Sequence, residues 1–169
     1  MGMIGNLIRV SKEDLEMFKA DSGKLENLIY NEANLEADWY LDLDKSWEAI
    51  HYVLSGKSLA DTEMDGTSKV IEYVIFSDKV IDEEQDLGYG PAFYNDQERV
   101  NKISKELNKV NITALMANFD GKKLNEANVY PEIWDEEDSK EYLQESLKSV
   151  IEFYSDATDS EQVVIGFIC

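Results

Sequence analysis

Gln162-Val163-Val164-Ile165-Gly166-Phe167-Ile168 is an uncharged run rich in β-branched and aromatic residues, with no helical spacing among them. A short run of that kind reads as a strand buried on both faces. A second such run lies at the other end of the chain, Met3-Ile4-Gly5-Asn6-Leu7-Ile8-Arg9-Val10. Pairing the two ties both ends into one sheet. Between them lie mostly helical patterns, so the expectation is an α+β fold, a compact single domain over residues 1–169. Its small sheet contains the N- and C-terminal strands and packs against several helices.

Outward from the N-terminal run, Ser11-Lys12-Glu13-Asp14 has the form of a capping box for a helix carrying Leu15, Met17 and Phe18. A second helix is expected from Leu25 to Tyr30, and residues 31–44 are acidic and loosely patterned around Trp39 and Tyr40. Asp44 is placed as the N-cap, and Gly56 as the left-handed stop, of a helix on which Trp47, Ile50, His51 and Leu54 share one face. Val70 to Phe76 fits either a helical stripe or a buried strand. Leu87-Gly88-Tyr89-Gly90-Pro91-Ala92-Phe93-Tyr94 reads as a tight turn that positions aromatics. Asn95-x-x-Glu98 opens a helix with Val100, Ile103, Leu107 and Val110 on one face. A shorter helix follows over 113–119, broken at Asp120-Gly121. The longest helix comes after Asp135-Glu136-Glu137-Asp138, whose acids suit its N-terminus, and presents Tyr142, Leu143, Leu147, Val150, Ile151 and Tyr154.

Composition removes several function classes. Thirty-six acids against 16 bases give a formal charge of −20, which opposes nucleic acid and anionic membranes and suits a basic protein partner. There is no ~20-residue apolar span and no basic leader followed by an apolar stretch, so a cytoplasmic location is expected. One histidine and one cysteine, Cys169, cannot supply an ordinary four-ligand zinc site or an internal disulfide. No metal and no cofactor is assigned. Two motif look-alikes fail on their spacing or residue types. Gly56-Lys57-Ser58 copies the end of a P-loop, but His51 stands where its first glycine belongs. Asp61-x-Glu63-x-Asp65-Gly66-x5-Glu72 approaches an EF-hand loop, with Glu63, Ser68 and Lys69 out of pattern.

Four blocks in order, Met1 to Leu7, Leu41 to Gly56, Leu87 to Ala92, and Tyr130-Pro131-Glu132-Ile133-Trp134-Asp135, resemble the signature blocks of the bacterial YfbM-like family. They span nearly the whole chain. The resemblance implies an α+β fold, a helical Ser68–Phe76 segment, an accidental calcium-loop match, and a family of unknown function with no catalytic assignment to transfer. It also implies an arginine after Gly-Tyr-Gly-Pro-Ala, where this chain has Phe93.

Two function classes fit these observations. The first is a non-catalytic binding module, such as an inhibitor or immunity-type protein that masks a basic partner; acidity would speed association and exposed aromatics such as Trp39 or Trp134 would anchor it. The alternative is a small-molecule-binding protein or hydrolase-like enzyme. Its pocket would be lined by Trp47, His51, Tyr89, Tyr94, Tyr130 and Trp134, with His51 as acid or base oriented by Asp44 or Asp42.

Overall fold

The structure, a computed structural model, describes residues 2–169. In chain order its elements are β1 (Gly5–Val10), α1 (Lys12–Ala20), α2 (Ser22–Ile29), β2 (Tyr40–Asp42), α3 (Trp47–Ser55), β3 (Phe93–Asn95), α4 (Gln97–Leu107), α5 (Ile112–Ala117), α6 (Gly121–Glu126), α7 (Ser139–Asp159) and β4 (Val163–Ile168). Short 3-10 turns occupy Glu32–Asn34, Leu59–Asp61 and Val70–Tyr73. The terminal strands pair antiparallel from Gly5↔Ile168 through Val10↔Val163. The three-residue strands β2 and β3 add to either side, giving an antiparallel sheet of order β2-β1-β4-β3.

Because successive side chains alternate across a strand, the sheet feeds two cores. Leu7, Val164 and Ile168 face one core, which is closed by α3, α4, α5, α6 and α7 through residues such as Ile50, Ile103, Met116, Leu124 and Leu147. Ile8, Val10, Val163, Ile165 and Phe167 face the other, covered by Leu15 and Phe18 of α1 and Leu25 and Ile29 of α2. The fold is α+β, as the sequence led us to expect, with both terminal runs in the sheet. Among the described residues no helix is long and apolar enough to cross a membrane.

Several local expectations are corrected. α3 starts at Trp47 rather than after an Asp44 cap. Asp44 sits at φ 46°, and Ser46 turns its hydroxyl onto the Leu43 carbonyl at 2.7 Å instead of capping. Gly56, at φ 74°, ends the helix as expected. Asn95 belongs to β3, and Asp96 caps α4 by accepting from the Arg99 amide at 3.0 Å. The short helix runs Ile112–Ala117 and so ends before Asp120-Gly121, which also begins a new helix with Asp120 as its cap. The Ser68–Phe76 segment holds only the 3-10 turn Val70–Tyr73, with Val74 and Ile75 buried after it.

Candidate functional site

The apolar stripe of α3 faces inward. Trp47, Ile50 and His51 are buried, and His51 is only 1% exposed. Its Nε2 lies 2.9 Å from the Thr62 hydroxyl. That hydroxyl donates to the Ser58 carbonyl at 2.9 Å, so it accepts from His51, and the imidazole carries its proton on Nε2. Nδ1 is left as a bare acceptor, buried and without a partner among the described residues. Burial holds the His51 pKa below its ordinary value; the Glu72 carboxylate opposes that shift and the Lys57 ammonium adds to it. His51 is therefore neutral at neutral pH and sealed from solvent.

Around it the aromatics interlock. Phe76 stands edge-on to both His51 and Trp47, with centroids 6.2 and 5.6 Å away. Trp47 stacks on Tyr130 at 5.6 Å. The indole Nε1 of Trp47 donates to the Met3 carbonyl at 3.1 Å, and the Met3 amide donates to the Tyr130 hydroxyl at 2.9 Å. Glu48 accepts from the Tyr130 amide at 2.9 Å. A methyl group on Gly5 would lie 2.6 Å from Trp47 Cβ, so only glycine lets β1 approach the indole this closely. Trp134 is fully buried, donating to the Val129 and Tyr130 carbonyls at 3.1 and 3.2 Å and stacking on Tyr142 at 6.2 Å.

The six residues singled out from sequence thus do not share one pocket. Trp47 and His51 meet at Phe76, Tyr130 stacks on Trp47, and Trp134 joins them through the Tyr130 backbone. Tyr94 is on the opposite face of the sheet, where Lys19 lies 5.7 Å from its ring centroid, and it lines a cleft of about 370 Å³ with Lys12, Leu15 and Glu16. Asp44 does not orient His51: its carboxylate accepts from the Tyr142 hydroxyl at 2.9 Å beside a separate cleft of about 290 Å³. Burial, reinforced by Asp44, pushes the Tyr142 pKa up to about 12. His51 lines neither cleft.

The acids of the EF-hand look-alike do not converge either. Glu72 is 2% exposed and is engaged by Lys57 at 2.8 Å and by the Lys69 amide at 2.8 Å. Among the described residues no group of three or more His, Cys, Asp or Glu side chains is arranged to hold a metal.

Tyr89 has a different setting. It is 53% exposed at the tip of a turn whose Leu87 amide donates to the Gly90 carbonyl at 3.0 Å. Asp86 Oδ1 accepts from the amides of Gly88 and Gly90 at 2.9 and 3.3 Å. Both glycines have positive φ, 116° and 102°, which a side chain would resist. Tyr30, 57% exposed, donates its hydroxyl to the Leu87 carbonyl at 3.3 Å and so stands beside the turn. Sequence reasoning passed over Tyr30. Its position off the buried Leu25/Ile29 stripe of α2 was the signal that it faces outward.

A family model described as "Domain of unknown function (DUF1877)" matches residues 1–167. The chain belongs to this family. The solved structure titled "The Crystal Structure of a Protein of Unknown Function YfbM from Escherichia coli" is similar at a TM-score of 0.71 and 18% identity. That match covers 98% of this chain and 99% of that one. At such identity the likeness establishes the shared fold, and the family is the YfbM-like one to which the signature blocks point. No match was found among curated proteins.

Proposed function

We propose that the protein is a non-catalytic binding module for a cationic protein. The observation that carries this reading is the Leu87–Pro91 turn: a half-exposed tyrosine held in one backbone conformation, with Glu83, Glu84 and Asp86 exposed just before it. A preorganised aromatic loses little freedom on docking, and aromatic anchors carry a large share of contact energy. A formal charge of −20 steers a basic partner toward such a surface, raising association rates by about 10–10³-fold at low ionic strength. The burial of His51, Trp47 and Trp134 supports a packing role for them.

Affinity capture from a lysate of the source organism, at low and high salt and beside an equally acidic unrelated control, tests the proposal. The expected result is a basic protein absent from the control that re-forms a defined complex from purified components and weakens as salt rises. Recovery of the same proteins on both baits overturns it.

A further inference from the structure

The turn that carries Tyr89 also brings Tyr30 beside it, and the two rings share a property. Six of the nine tyrosines have a ring neighbour: Tyr40 meets Phe167, Tyr130 meets Trp47, Tyr142 meets Trp134, Tyr154 meets Phe153, Tyr73 lies under the Arg99 guanidinium and Tyr94 under Lys19. Tyr30 and Tyr89 are the two exposed tyrosines, and among the described residues neither ring is paired with an aromatic or a cation. The hydrogen bond from Tyr30 to the Leu87 carbonyl fixes one ring against the segment that bears the other.

An exposed carboxylate stands in the same turn. Asp86 spends Oδ1 on the glycine amides and leaves Oδ2 without a hydrogen bond among the described residues. Gln85, beneath the turn, donates to the Ser22 carbonyl and to Glu26 Oε1, each at 3.2 Å, while its own Oε1 is buried and unpartnered. Exposed rings with no cation stacked on them among the described residues, beside a carboxylate, match a planar cation better than a point charge. A guanidinium stacks on a ring while its edge donors reach carboxylates; an ammonium lacks the plane and the fixed fork.

Resting on the binding-module reading, we infer that the Tyr30–Tyr89 face is the contact surface and that it takes an arginine side chain of the basic partner. Charge complementarity selects the class of protein, and the two rings select arginine over lysine within it.

Two hexapeptides of equal charge, six arginines and six lysines, separate these contributions when titrated into the full chain at about 0.15 M salt. The arginine peptide should bind about two- to five-fold more tightly, moving amide NMR signals of Tyr30 and of Asp86 to Gly90. Tyr89→Ala combined with Tyr30→Ala should erase the preference and leave the charge-driven affinity common to both peptides; Tyr89→Phe should retain it. Both side chains are exposed, and an unchanged thermal melt reports that the variant is folded. Equal affinity of the wild type for the two peptides, a preference that survives the double alanine variant, or shifts spread evenly over the acidic surface overturns the assignment. A salt-sensitive partner captured from lysate alongside any of those results moves the contact elsewhere and keeps the module reading; failure of the capture removes that reading itself.

Discussion

His51 is the single histidine of the chain, so one imidazole contributes to how stability changes near neutral pH. Its folded pKa lies below its ordinary value because burial disfavours the imidazolium. The unfolded chain therefore binds a proton first as pH falls, and the stability His51 contributes above about pH 6.5 is lost on the way down toward its folded pKa. We expect the unfolding free energy from denaturant titration to drop between about pH 7.5 and 5.5, by no more than about 1.4 kcal/mol per pH unit, and His51→Gln to flatten that slope while keeping a donor for Thr62. Equal slopes in the two proteins would show that the buried imidazole is not the titrating group. Glu48 acts with the opposite sign at lower pH. Burial raises its pKa despite the amides of Tyr130 and Leu59, so its contribution is present in acid and lost as pH rises through that value. His51 also shows where sequence reading stops at this scale: its apolar stripe was legible, but its partner Thr62 arrives through a loop with no periodicity.

Among the elements, α6 is set by a backbone contact as well as by its buried Leu124. A methyl group on Gly121 would overlap the Trp134 carbonyl, so Gly121→Ala should cost about 1–3 kcal/mol or more through forced displacement of the 134–135 chain. Gly23→Ala is the matched control. Gly23 lies in the first turn of α2, where the added methyl meets only the flexible Asp21 carboxylate at 3.3 Å, and helix propensity predicts a gain of up to about 0.5 kcal/mol. Thermal melts of the pair should move in opposite directions. The tie between α7 and the centre of the chain is polar: the Tyr154 hydroxyl donates to the Val74 carbonyl at 2.6 Å, and Asn95 donates to the Tyr73 carbonyl at 2.8 Å. Tyr154→Phe leaves a buried carbonyl short of a donor and should cost about 1–3 kcal/mol in chemical denaturation. β1, β4 and α7 were legible because each buries a long apolar pattern. β2 and β3 were not, since three residues carry no periodicity and exist as strands only by pairing with β1 and β4. That omission also misplaced the site: once Phe93–Asn95 is extended, Phe93 turns toward Phe76 and the His51 side, and Tyr94 necessarily turns to the other face.

At the scale of the molecule, the charge imbalance opposes compaction. Helix-surface pairs such as Lys102–Glu98 and Lys109–Glu106 are exposed on both sides and contribute little, so screening costs little in broken pairs and relieves much self-repulsion. Raising sodium chloride from about 0.02 to 0.5 M should therefore raise Tm, and a Tm that falls with salt would mean that ion pairs dominate instead. Composition made this property readable without a structure, just as the two terminal runs made the α+β class readable. The partition of helices between the two faces was not readable, because it depends on which way each strand residue points within a register that local sequence does not set. The sheet order β2-β1-β4-β3 carries one more consequence, for a chain made from its N-terminus onward. β4, which lies between β1 and β3, is synthesised after every element it joins, so β1 waits through more than 150 residues of translation for its longest pairing partner. Until β4 leaves the ribosome, the nascent protein holds helices whose apolar stripes have only half a sheet to close on, and commitment to the native state waits for that strand.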